Sequence, residues 1–242
     1  MTPIHTRRGR RITIVLAFAA LGLLWLPAVA HAWSNGGDYG NGFGTHDWVL
    51  YEANRLAASR GCHWLVWSTA QPVTDDPDTK LHDTWYHCYD IWGSTYGDAP
   101  GKAADLYATV VSALRDGDRA KASRRFGLLA HYFADICNPT HTDGSDAEDG
   151  MHSAYERAVQ TRTDAKGEHR TWITFDGIQV RSSARSATVA AARWSHQYYG
   201  SLVRGYTADG YSSAVDTTTK RCLNRAVNDL ADLIVSARKA SR

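Results

Sequence analysis

Five side chains between His131 and Glu156 constrain this chain more than any other feature. They are His131 and Asp135, then His141, then His152 and Glu156. Each outer pair is spaced i,i+4, so on a helix both members project from one face, one turn apart. Neutral imidazole and carboxylate are the ligands zinc takes outside thiolate sites. Two such pairs with a further histidine between them offer more donors than one tetrahedral ion can use. The pattern therefore predicts a multinuclear metal site borne on helices.

The first 32 residues read as a leader rather than as part of the fold. Arg7, Arg8, Arg10 and Arg11 precede an apolar run from Ile12 to Ala30, and Ala30-His31-Ala32 is a small-x-small cleavage signature. An uncleaved anchor is the competing reading of that run, but the position of the Ala-x-Ala site favours cleavage, export and a secreted product. The paired arginines match a twin-arginine signal poorly, so the route stays open. Cleavage would make Trp33 the new amino terminus and leave 210 of the 242 residues, enough for one sizeable core and most simply one domain, 33–242. The leader holds four arginines and no acid. Without it, 23 basic residues face 25 acidic ones. A balance of about −2 gives no reason to expect duplex nucleic acid as a partner.

Four cysteines, Cys62, Cys88, Cys137 and Cys222, make an even count in an exported chain. Two disulfides are expected, with three possible connectivities, of which Cys62–Cys88 with Cys137–Cys222 is our reading. Free buried thiols are the alternative. No C-x-x-C pair is present to bind zinc.

Periodicity makes the rest mostly helical. Apolar residues recur at helical intervals over 46–60, 102–115, 118–137 and 214–239, with further helices expected near 151–163 and 184–204. The Gly/Asn-rich stretch 34–45 reads as a loop. Residues 165–183 mix charges with Trp172, Ile173, Phe175 and Ile178 and read as a loop or short hairpin. The fold class expected is an all-α, single-domain bundle.

Upstream, Trp33 would offer an amine and a carbonyl, His46 follows 13 residues later, and His87 stands in Trp85-Tyr86-His87-Cys88-Tyr89-Asp90. With His131-Tyr132-Phe133-Ala134-Asp135, Pro139, His141 and His152-Ser153-Ala154-Tyr155-Glu156, this order resembles the bacterial zinc-dependent phospholipase C family from Trp33 to about Glu156. The resemblance implies that family's helical bundle and three zinc ions. His87, His131 and Asp135 would hold one; His141, His152 and Glu156 a second; the Trp33 main chain with His46 a third, bridged by Asp135. It also implies a phosphodiesterase acting on the glycerol side of phospholipids at a lipid interface, as a monomer. A general base is expected on the loop before His87. Asp75 fits the spacing best, with Asp76 and Asp78 as alternatives, against the plainer role of turn residues beside Pro77.

Departures from the family bear on the substrate. Gly36 and Thr84 stand where choline-preferring members place an acidic and an aromatic residue, leaving Trp85 or Trp48 to supply any cation–π face. The membrane-binding sandwich of the toxin-like members is not expected after the last helix. The related fungal and plant single-strand nucleases and 3′-nucleotidases are the rival. They place the first histidine closer to the terminal Trp and end the second pair in Asp, whereas this chain has a gap of 13 and Glu156. Aromatics between Trp64 and Tyr96 are either core or cleft rim.

Overall fold

The helix carrying His131 and Asp135 explains the architecture. Its residues Phe126, Leu129, Ala130, Phe133 and Ile136 follow the helical period, yet every residue from Phe126 to Cys137 is buried. A helix apolar nearly all round belongs in the interior, packed on every side. In the computed structural model, which describes residues 33, 42–93, 96–144 and 151–242, it is α4 (Arg119–Cys137), in contact with five other helices. These are α1 (Thr45–Ser59), the single turn α2 (Trp67–Ala70), α3 (Ala99–Arg115), α6 (Ala184–His196) and α8 (Ser213–Ala240). The remaining helices are α5 (His152–Gln160) and α7 (Tyr199–Asp209). The described residues contain no strand, and the chain is all-α as expected. The expected leader and most of the Gly/Asn-rich stretch lie outside the described residues.

Local chemistry sets the helix starts. Asp98 accepts from Gly101 N at 3.0 Å to open α3, and Asp118 accepts from Lys121 N at 2.8 Å to open α4. At α1 the cap is Gly44, which has no side chain to offer. Asp47 in the first turn instead reaches back to accept from Gly44 N at 3.0 Å. On α6 the buried face is Ala184, Ala187, Thr188, Ala191, Ala192 and Ser195. Such small residues let it sit close to α3 and α4.

The structure differs from the sequence reading, or goes beyond it, in three places. The helix expected over 184–204 is two helices, broken at Gln197–Tyr198, where Tyr198 N donates to Ser195 O at 2.9 Å. Over 165–183, expected as a loop or short hairpin, the loop alternative is what forms, and what the sequence did not disclose is how it is held. Its backbone lies along α8, and side chains one helical turn apart replace a partner strand. Asn224, Asn228, Asp232 and Ser236 accept from the N–H groups of Thr174, Asp176, Gln179 and Arg181 at 2.7–3.3 Å. Arg181 adds ion pairs to Asp229 and Asp232 at 3.0 and 2.8 Å.

The third difference is a correction. All four cysteines are free thiols, so neither expected disulfide is present. Cys62 and Cys88 belong to different neighbourhoods: the first donates to Ile234 O at 3.7 Å, the second lies 3.6 Å from His141 Nδ1. Cys137 and Cys222 are fully buried, and burial pushes both thiols up, holding them protonated. They pack as small apolar groups.

A cavity of about 480 Å³ opens between the C-terminal ends of α1, α3 and α8, beside Arg60, Arg119, Arg238 and Lys239. Arg238 and Lys239 lie in the last turn of α8, where cations favour a helix's carbonyl end.

Candidate metal centre

Four pieces of the fold meet at the centre. The first turn of α1 supplies His46. The stretch from Thr74 to His87, which includes an irregular turn at Pro77–Leu81, supplies Asp75, Asp78 and His87. The helix α4 supplies His131 and Asp135. The turn Pro139–His141 and the start of α5 supply His141, His152 and Glu156. His46, His131 and Asp135 are fully buried, and His87, His141, His152 and Glu156 nearly so.

Asp135 is the hub. Its Oδ1 lies 2.9 Å from His46 Nε2; its Oδ2 lies 2.9 Å from His87 Nδ1 and 3.3 Å from His131 Nε2. His131 Nε2 and His87 Nδ1 are 3.2 Å apart. Asp78 Oδ1 closes the set at 3.4 Å from His87 Nδ1 and 3.6 Å from His131 Nε2. Farther along, Glu156 Oε1 is 3.0 Å from His141 Nε2 and 2.8 Å from His152 Nε2, with those two nitrogens 3.2 Å apart. Asn138 Nδ2 donates to the same oxygen at 3.1 Å.

Three groups of donors thus converge: His46, Asp78 and His131; His87, His131 and Asp135; and His141, His152 and Glu156. Their spacing fits zinc. Tetrahedral ligands at about 2.0–2.1 Å from a common ion stand about 3.3 Å from one another. The nitrogen–nitrogen separations of 3.2 Å match that figure. Glu156 Oε2 is buried with no hydrogen-bond partner among the described residues. An orphaned carboxylate oxygen beside two imidazoles suits a cation.

Electrostatics agree with that reading. Burial alone would lift the carboxyls of Asp135 and Glu156, but the imidazoles against them hold both below the usual range, Asp135 far below. Burial would also discharge His131, yet Asp135 and Asp78 outweigh it and raise the ring to about 9. His46 goes the other way, lowered by burial and then by His131. Protons here balance buried carboxylates, and metal binding would displace them. Ring orientation is set from outside: His131 Nδ1 donates to Thr74 O at 2.6 Å, so its Nε2 is the ligand nitrogen. Thr74 Oγ1 in turn donates to Asp47 Oδ1 at 2.6 Å.

Two expectations change in detail. Asp78, weighed in the sequence only as an alternative base, faces the imidazoles directly. Asp75, the expected base, has its Oδ1 buried and unpartnered among the described residues. Burial and then neighbouring Asp47 push Asp75 up to about 7. Trp33 is fully buried in the core cluster with Phe43 and Trp48. In the intact chain its nitrogen is a peptide nitrogen, so the expected amine ligand requires processing. Sequence reasoning missed Asp47 and Asp83; the i,i+4 spacing of Asp83 to His87 was the available signal for the second.

Fold and site together define an all-α protein with a buried, candidate multinuclear metal centre. No family model matches the sequence, and no curated protein does. Among solved structures, the chain is similar to the alpha-toxin of Clostridium perfringens from an avian strain. The TM-score is 0.63 at 14% identity, over 83% of this chain and 64% of that one. The alpha toxin of Clostridium absonum matches with TM-score 0.62 at 14% identity, over 81% and 63%. The chain therefore has the alpha-toxin fold over most of its described length, and spans less than two thirds of either toxin.

Proposed function

We propose that the protein is a secreted zinc metallohydrolase that cleaves the glycerol-side phosphodiester of phospholipids, releasing diacylglycerol and a phosphorylated headgroup. The observation that carries this reading is the convergence of three buried imidazole–carboxylate groups, the donors of each within 4.8 Å of one another, at the centre of an alpha-toxin-like bundle. His87, His131, Asp135, His46 and Asp78 would hold two ions on one side. His141, His152 and Glu156 would hold the third, and the Trp33 main chain of the processed protein would join His46 on its ion.

Zinc bound in such sites supplies an acidified water, of pKa about 7, and positive charge for phosphoryl oxygens. The chain's own groups divide the remaining work. Asp78, kept ionised by His131 and His87 against its burial, serves as a ligand. Asp75, whose carboxyl burial and then Asp47 push up to about 7, is the group we assign as general base. Two nearby carboxyls pushed apart in this way are the usual mark of divided roles. Apolar side chains near Asp78 and His87 in the sequence support a lipid partner: Leu81, Trp85, Trp92 and Tyr96 are exposed, Trp92 by 74%.

A hydrolysis panel tests the proposal: phosphatidylcholine, phosphatidylethanolamine, single-stranded DNA and a nucleoside 3′-monophosphate, each with and without chelator. Chelator-sensitive release of diacylglycerol is expected. Turnover confined to the nucleic-acid substrates overturns the lipid assignment.

A further inference from the structure

Asp83 lies outside all three donor groups, yet two side chains are built onto it. Tyr132, fully buried on α4 beside His131, aims its hydroxyl at both Asp83 oxygens, at 2.8 and 2.7 Å. Lys102, on α3, donates to Asp83 Oδ2 at 3.0 Å. The Lys102 ammonium is itself held over the Tyr86 and Tyr132 rings, at 4.4 and 5.3 Å from their centres. Two helices and an aromatic pair therefore fix one carboxylate. What it faces is the far nitrogen of His87: Asp83 Oδ1 is 3.5 Å from His87 Nε2. The other ring nitrogen, Nδ1, points at Asp135, His131 and Asp78, at 2.9, 3.2 and 3.4 Å.

That geometry points to Asp83 as a positioning residue for the metal ligand His87, clamped by Tyr132 and Lys102 so that its carboxylate stands against Nε2–H and leaves the Nδ1 lone pair for the ion. An imidazole has one lone pair to give while neutral, and which nitrogen gives it depends on where the other nitrogen's proton is held. A carboxylate behind the ring fixes that tautomer and makes the ligand more basic. His131 is fixed the same way by the Thr74 carbonyl, so the two imidazoles on Asp135 Oδ2 are each held from behind. The inference rests on the metal reading of the site and not on its substrate.

The experiment compares wild type with Asp83→Asn, Tyr132→Phe and Lys102→Met in the processed full chain. Zinc affinity is read by competition against a chromophoric chelator, and the His87 tautomer by nitrogen-15 imidazole resonances of the metal-free protein. Asp83→Asn should weaken one ion by about 10- to 100-fold while the others keep their affinity. The His87 ring should lose its fixed Nε2–H form. Tyr132→Phe and Lys102→Met, which leave the carboxylate but loosen it, should move both readouts partway. Should Asp83→Asn fail to fold, those two variants decide the matter. Unchanged affinity and an unchanged His87 tautomer in the variants that fold overturn the clamp and leave the metal site standing. Wild type that binds zinc but hydrolyses no phospholipid leaves the clamp standing and removes only the substrate.

Discussion

Gly127 makes the dependence of the site on packing measurable. It sits on α4, four residues before His131, where the helix crosses α2 and the turn that follows. A Cβ placed there would fall on the Ala70 carbonyl oxygen, 2.8 Å from Val73 Cγ2 and 3.1 Å from Ala70 C, against ordinary contact at 3.4 Å or more. Val73 can rotate away, but the carbonyl cannot. Residues 70–73 must move, and Thr74, which orients His131, moves with them. Gly127→Ala should gain about 1 kcal/mol of helix propensity. Against a backbone carbonyl, overpacking should reach the upper part of its range of about 1–3 kcal/mol. The net is a loss of about 1–2 kcal/mol. At about 2–4 °C per kcal/mol for a chain of this size, Tm falls by about 2–8 °C. Gly205→Ala on α7 is the internal control. Its Cβ meets Val215 Cγ2 at 3.5 Å, an ordinary contact, so only the propensity gain remains and Tm should rise. Thermal melts by circular dichroism, with and without zinc, check both. Zinc affinity should also drop in Gly127→Ala alone. A Gly127→Ala protein as stable as Gly205→Ala, with undiminished affinity, would refute the argument.

Three further outcomes follow from the fold. Asn228→Ala removes the acceptor of Asp176 N and the donor to Thr174 O, which should destabilise by about 1–2 kcal/mol and expose 173–182 to limited proteolysis; an unchanged cleavage pattern would count against the strap. Asp232, raised to about 6 chiefly by burial, binds its proton more tightly folded than unfolded, so its contribution to stability declines as pH rises from about 4 to about 6. In Asp232→Asn that component of the pH slope should vanish from the denaturation midpoints, and identical slopes would contradict it. Denatured without reductant, the protein should titrate four thiols, and two or none would mean that disulfides form after all.

What the sequence disclosed depended on the range of the interactions. The i,i+4 pairs of α4 and α5 are local, so spacing alone placed His131 with Asp135 and His152 with Glu156. The apolar period of α4 was equally plain, although its burial on every side was not, because that depends on five neighbours. The strap over α8 escaped because its hydrogen bonds run between residues about 50 apart, and helix side chains standing in for a strand leave no alternating pattern. The split between α6 and α7 turns on two residues of ordinary helix propensity. Cysteine parity suggested disulfides, but parity does not encode bonding geometry, and all four thiols are free. Likewise, three aspartates within four residues could not be told apart until the fold set Asp78 against His87 and His131.

The central claim is that side chains from α1, α4, α5 and the intervening turns hold a polynuclear zinc cage. Elemental analysis of the processed chain after zinc loading and removal of excess metal tests it most directly. The account predicts three zinc ions per chain, falling to two in His152→Ala with the remaining ions still bound. At most one ion in the wild type, or an unchanged count in that variant, would contradict it.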